Sequence, residues 1–154
     1  MLRYAEIALS RQEVPGEVSV CVYISGCSNR CLNCHYPELM DPDYGIPLLD
    51  NIQSVTDLYL SRITCVCFMG EGNCSAESRE ELLSCVCIAK EKGLKCCLYS
   101  GRDTDIEAWM YNFDFIKLGS YRAEKGPIYE EGTNQRLYKK HGNRFMDITE
   151  RFWR

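Results

Sequence analysis

The chain has 154 residues, 45% hydrophobic and 26% charged, which suits one domain built around one core over residues 1–154. A net charge of −4, with no Lys/Arg stripe beyond short pairs such as Lys139-Lys140, argues against nucleic acid as a partner. No apolar run reaches the roughly 18 residues of a membrane span, and the opening Met1-Leu2-Arg3-Tyr4-Ala5-Glu6 is unlike a signal-peptide core, so a soluble, cytoplasmic protein with no membrane contact is expected.

Val18 to Ser25 is a β-branched run ending at Gly26 and predicts the first strand. A loop rich in Pro and Asp follows, and then Ile52, Val55 and Tyr59 recur at helical spacing, which predicts a helix over 49–61. Ile63 to Met69 reads as a second strand. Ser78-Arg79-Glu80-Glu81 reads as a capping box before a helix that presents Leu82, Cys85, Val86 and Ala89 on one face and stops at Gly93. Leu94 to Tyr99 predicts a third strand, Asp105 to Tyr111 a short helix, and Phe115 to Leu118 a fourth strand. At the end, Gln135 to Lys139 and Arg144 to Ile148 flank His141-Gly142-Asn143 as the arms of a hairpin.

The alternation of strand and helix predicts parallel strands with helical crossovers, in either a doubly wound sheet or part of a (β/α) barrel. Four repeats do not close a barrel, so the expected fold class is α/β, an open, partial (β/α) barrel with a C-terminal hairpin. In such a sheet, sites gather at the carboxyl ends of the strands. The loops to watch are therefore those beginning at Cys27, Gly70, Ser100 and Gly119.

Eleven cysteines without an export signal point to metal binding in a reducing compartment rather than to a disulfide framework. Cys27-Ser28-Asn29-Arg30-Cys31-Leu32-Asn33-Cys34 puts three thiols in one loop, a spacing that lets each sulfur reach a different iron of a cubane. Three ligands for four irons leave one iron open to chemistry, where an electron carrier usually saturates its cluster. The spacing alone also suits a structural zinc site on Cys27, Cys31, Cys34 and His35. The remaining eight cysteines, among them the pairs Cys65/Cys67, Cys85/Cys87 and Cys96/Cys97, sit mostly in apolar runs and read as packing.

This CxxxCxxC loop resembles the signature of radical S-adenosylmethionine (SAM) enzymes. The resemblance implies one [4Fe-4S] cluster on Cys27, Cys31 and Cys34 whose open iron is chelated by SAM. Met69-Gly70-Glu71-Gly72 resembles the family's Gly-Gly-Glu motif with Met69 in place of the first glycine, which implies that Gly70 and Glu71 meet the amino group of SAM. Asn33 stands where many members carry an aromatic residue, and the backbone of Asn33, Cys34 and His35 is the candidate adenine contact. Ser100, in the loop after the third strand, is a further candidate cofactor contact.

The segments Cys34-His35-Tyr36-Pro37-Glu38-Leu39-Met40, Leu98-Tyr99-Ser100-Gly101-Arg102, Asp114 to Gly119 and Thr133-Asn134-Gln135-Arg136 extend the resemblance, in order, to the activating proteins of anaerobic ribonucleoside-triphosphate reductases. It implies a radical SAM type of partial barrel, a reductase as protein substrate and a reduced flavodoxin or similar electron donor. No side-chain acid or base is required, because cluster and SAM supply the chemistry. The activase of another glycyl radical enzyme, such as pyruvate formate-lyase, is the nearest alternative. A zinc-binding or iron-sulfur electron-transfer module is the alternative from a different class.

Overall fold

The computed structural model describes residues 1–28 and 36–154. Its strands are β1 (Arg3–Ser10), β2 (Ser19–Ile24), β3 (Ile46–Pro47), β4 (Cys65–Met69), β5 (Lys95–Tyr99), β6 (Phe115–Leu118), β7 (Arg136–His141) and β8 (Arg144–Asp147). Its helices are α1 (Leu48–Tyr59) and α2 (Ala76–Glu91). All eight strands form one open mixed sheet in the order β3-β1-β2-β4-β5-β6-β7-β8. The segment β2, β4, β5, β6 is parallel throughout, and both edges are antiparallel.

The parallel strands are added in one direction without reversal. A doubly wound sheet reverses and so places helices on both faces. Here α1 and α2 share one face, where Leu48, Ile52, Val55, Leu82, Val86 and Ala89 pack on Val20, Val22, Ile24, Val66, Phe68 and Leu98. Among the described residues, the opposite face is sealed without an α-helix. There Val14, Ile128 and Ile148 cover Cys21, Cys65, Cys67, Cys97 and Phe115.

Several elements differ from the sequence expectation for identifiable reasons. β1 adds an antiparallel strand to β2 that alternation did not announce, because its half-buried face mixes Ala, Glu and Ile and its register shifts between Tyr4 and Glu6. Helix α2 begins one turn earlier than the Ser78 capping box implies. Ser75 is the N-cap, its hydroxyl accepting from the Ser78 amide at 3.1 Å, while the Ser78 hydroxyl donates to Asn73 Oδ1 at 2.7 Å. Glu81 accepts instead from the Leu2 amide and ties the start of the chain to α2. The helix expected over Asp105 to Tyr111 is a single 3-10 turn, Ala108–Asn112. Among the described residues, no helix is long and apolar enough to cross a membrane.

Phe68 is fully buried and meets Phe113 edge to face at a centroid distance of 6.3 Å. Phe68→Ala removes one of the largest fully buried side chains of the core. It should lower unfolding stability by about 3–5 kcal/mol, read as a shift in the midpoint of a denaturant titration with the slope unchanged.

Candidate active site

The Cys27 loop leaves the sheet at the carboxyl end of β2. Its start is pinned, because the amides of Gly26 and Cys27 both donate to the Leu39 carbonyl, at 2.6 and 2.8 Å. On the far side of the loop, the Tyr36 ring lies 5.7 Å from the Tyr23 ring of β2. The loop is thus fastened at its base by residues on both sides. Cys27 is a free thiol of intermediate exposure. The sequence assignments to Cys31, Asn33, Cys34 and His35 lie outside the described residues.

The turn after β4 stands on the same edge of the sheet. Gly70 has φ +124° and Gly72 φ +66°, values that favour glycine, and a side chain at Gly72 would collide with Leu2. Between these glycines Glu71 turns inward and is 5% exposed. Both of its oxygens are occupied. Ser100 Oγ donates to Oε2, and Arg102 donates side-on through Nε at 3.0 Å and Nη2 at 2.9 Å. Two of the sequence-selected residues, Glu71 and Ser100, are therefore in direct contact.

Arg102 also grips Glu107, with Nη2 at 2.7 Å and Nη1 at 3.3 Å from its two oxygens. Glu107 accepts in addition from Trp109 Nε1 at 2.8 Å and faces Arg79 at 3.5 Å. Arg79 lies 5.1 Å from the centre of the Trp109 ring. The chain Glu71, Arg102, Glu107, Arg79 alternates in sign and is neutral as a set. It runs along the helical side of the carboxyl edge, joining the ends of β4 and β5 to α2 and the 3-10 turn. Arg102, through its hydrogen bonds above all, holds the Glu107 carboxyl down at about 2, and the Glu107 and Glu71 carboxylates raise Arg102 in turn. Arg102 and Glu107 were not singled out from sequence. The only hint is an arginine two residues after Ser100, five before a glutamate.

The other face of the same edge is built in layers by register. Tyr23, Met69, Tyr99 and Lys117 are successive partners across β2, β4, β5 and β6 and form the uppermost layer. The Lys117 ammonium lies 4.4 Å from the centre of the Tyr99 ring, and burial pulls its pKa down. Tyr99 donates its hydroxyl to the Glu13 carbonyl, so the loop after β1 closes this face. One layer deeper, Cys21, Cys67, Cys97 and Phe115 are partners in turn.

These deeper thiols fit the packing expectation. Cys21, Cys65, Cys67, Cys85, Cys96 and Cys97 are all buried, and burial raises the thiols of Cys85 and Cys96 to about 12, so each stays protonated. The row Cys21, Cys67, Cys97 runs straight across three strands rather than around a point. Among the described residues no group of three His, Cys, Asp or Glu side chains is placed to hold a metal ion. Cys87 and Cys74 are different. Cys87 is exposed on α2, and Cys74, with φ +62°, keeps partial exposure close to Ser28.

Compared with known proteins, the chain matches no protein-family model, no curated protein and no solved structure.

Glu107 gives a pH signature. Its folded pKa lies below the ordinary carboxyl value of 4.5, so between about 4.5 and 2 the unfolded chain binds more protons and stability falls as the pH is lowered. The contribution is complete above the unfolded value and disappears as pH drops through the folded one. Glu107→Gln should lower the melting temperature at pH 7 and flatten its decline between pH 5 and pH 2, with the two proteins converging at the acid end.

Proposed function

We propose that this chain is a radical SAM enzyme that activates a glycyl radical enzyme, with an anaerobic ribonucleoside-triphosphate reductase as its protein substrate. The observation that carries the reading is the position of the Cys27-x-x-x-Cys31-x-x-Cys34 spacing. It begins where the first parallel strand ends, on the edge that also bears the Gly70 to Gly72 turn, Ser100 and Gly119. Independent candidate segments gather at one end of a sheet whose other end has none of them.

Cys27, Cys31 and Cys34 would hold the [4Fe-4S] cluster, and the free, partly exposed thiol of Cys27 suits a ligand. The chemistry such a cluster would supply is one-electron reduction of SAM, with the resulting radical spent on a glycine of the substrate protein. The protein's own part is placement. The turn at Gly70 would offer backbone groups to the methionine end of SAM, and the backbone of Asn33 to His35 would meet the adenine. Glu71, held by Ser100 and Arg102, fixes the shape of that turn. The Lys117 ammonium beneath the edge offers a positive charge to a carboxylate. Reduced flavodoxin or a similar donor would deliver the electron.

Anaerobic reconstitution should give a full cluster's iron and sulfide per chain, and Cys27→Ala, Cys31→Ala and Cys34→Ala should each abolish it. Cys67→Ser should leave the iron content unchanged while weakening the core, since it buries a hydroxyl among apolar groups. Retention of the cluster by the triple alanine variant, or stoichiometric zinc in its place, would refute the assignment.

The partner has its own test. Reduced, reconstituted protein mixed with SAM and the reductase without oxygen should produce a doublet electron-spin signal that collapses when the reductase carries deuterated glycine. Cleavage of SAM without that signal, together with its appearance on another glycyl enzyme such as pyruvate formate-lyase, would reassign the partner and leave the cluster chemistry standing.

A further inference from the structure

We propose that the cleft beside Arg102 is a seat for main chain of the protein substrate, the stretch next to its target glycine, with Thr104, Asp105, Asn134 and Tyr138 as the groups that bind it. This rests on the function proposed above, since an activase has a glycine in a partner chain to reach.

The cleft holds about 470 Å³ and lies at the carboxyl edge, between the loops that leave β5 and β6 and the segment that enters β7. Arg102, on its wall, is two positions past Ser100, which touches Glu71 in the turn after β4. A chain in the cleft is therefore a neighbour of the candidate cofactor loops. The walls are stitched together. The Gly119 amide donates to the Arg102 carbonyl at 3.0 Å, and Asp103 accepts from the Ser120 amide at 3.0 Å and hydroxyl at 2.8 Å. Asn134 Nδ2 donates to the Ser120 carbonyl at 2.9 Å. The cleft is thus preformed, as binding clefts usually are.

Its charge narrows what it suits. Arg102 and Arg136 stand against Asp103 and Asp105, so the lining is neutral as a set. Arg102 is already engaged by Glu71 and Glu107, and Asp103 by Ser120 and Arg122. That favours an uncharged polar ligand over a phosphate or a cation. The groups left over are a mixture of donors and acceptors. Among the described residues, the side chains of Thr104, Asp105 and Tyr138 have no hydrogen-bond partner. Asn134 Oδ1 is buried with no donor, an uncommon state that costs stability until an N–H arrives. Peptide main chain is neutral and offers one N–H and one C=O at nearly every residue. The target residue adds a reason of its own. Glycine has no side chain to grip, so a protein that must find one gains by holding the main chain beside it. The segment Thr133 to Arg136, to which the family resemblance assigns no role, then acquires one through Asn134.

The probe is a synthetic peptide spanning the reductase's glycine, labelled at one end and titrated by fluorescence anisotropy. The protein is reconstituted anaerobically and saturated with S-adenosylhomocysteine. Asp105→Ala, and the paired change Thr104→Val with Tyr138→Phe, should each weaken the peptide roughly fivefold. Affinity for S-adenosylhomocysteine should stay as it was. Changes to the peptide give an answer without altering the protein. N-methylation of the amides flanking the glycine should cost affinity, whereas alanine in place of the flanking side chains should cost little. The N-methylation penalty should shrink in Asp105→Ala, where an acceptor is gone.

Unchanged peptide affinity in both variants would put the substrate elsewhere and overturn the proposal. So would a peptide that tolerates N-methylation but not alanine, because side chains would then carry recognition. A peptide that does not bind unaltered protein loaded with S-adenosylhomocysteine overturns it too and leaves the SAM reading standing. Failure of the unaltered protein to bind S-adenosylhomocysteine is a separate outcome, which sinks that reading and this inference with it.

Discussion

The four central strands stay in parallel register, and the height of everything at the carboxyl edge follows from it. Tyr23, Met69, Tyr99 and Lys117 stand level because each is the direct partner of the next. A slip by one residue in any of these strands would exchange its two faces, sending cysteines toward the helices and leucines toward the helix-free side. The loops after β2, β4, β5 and β6 then begin from one line, and residues far apart in the chain, such as Glu71 and Ser100, come within bonding distance without any long-range search. Packing on both faces enforces the register, so the edge inherits its precision from the core beneath it.

The same division into faces separates two kinds of chemistry. On the helical side the edge is finished by charge: Glu71, Arg102, Glu107 and Arg79 alternate in sign and lace together the ends of β4 and β5, the first turn of α2 and the 3-10 turn. On the other side it is finished by aromatic and soft groups, with Lys117 the lone cation of that layer. A charge network of this kind is held by partners on four separate elements, so its geometry reports on all of them. The turn at Gly70 follows the end of β4, on the line where the two environments meet.

Much of this was legible in the residues themselves. The run 63–69 announced β4, observed as Cys65–Met69, and Leu94 to Tyr99 announced β5, observed as Lys95–Tyr99, because β-branched and apolar residues crowd into strands buried on both faces. The helix over 49–61 is α1, extended by a 3-10 turn to Arg62. What escaped was decided by partners. β1 lies next to the edge, covered by the two-residue β3 only at Arg3 and Tyr4; its pattern is muted by Ala and Glu, and its pairing with β2 is what makes it a strand. Two serines three residues apart could each cap α2, and Asn73 settles the choice by capturing the hydroxyl of Ser78. The pairing of Arg102 with Glu71 and Glu107 depends on how the loop after β5 folds back, which no spacing encodes. At the cysteine loop, Cys27 can be followed to its place, whereas the assignments to Asn33, Cys34 and His35 rest on the sequence.

The thiol-rich layer gives the protein an unusual relation to its own unfolding. Among the described residues, six cysteines of the folded chain are sealed from solvent, where they stay protonated and unreactive. Once the sheet opens, all of them become ordinary thiols on a mobile chain, free to oxidise with one another in any combination. In air, unfolding and refolding would then cease to be a reversible pair, and durability would be measured as the rate at which molecules first open rather than as an equilibrium between two states. A reducing, oxygen-free setting keeps that path closed.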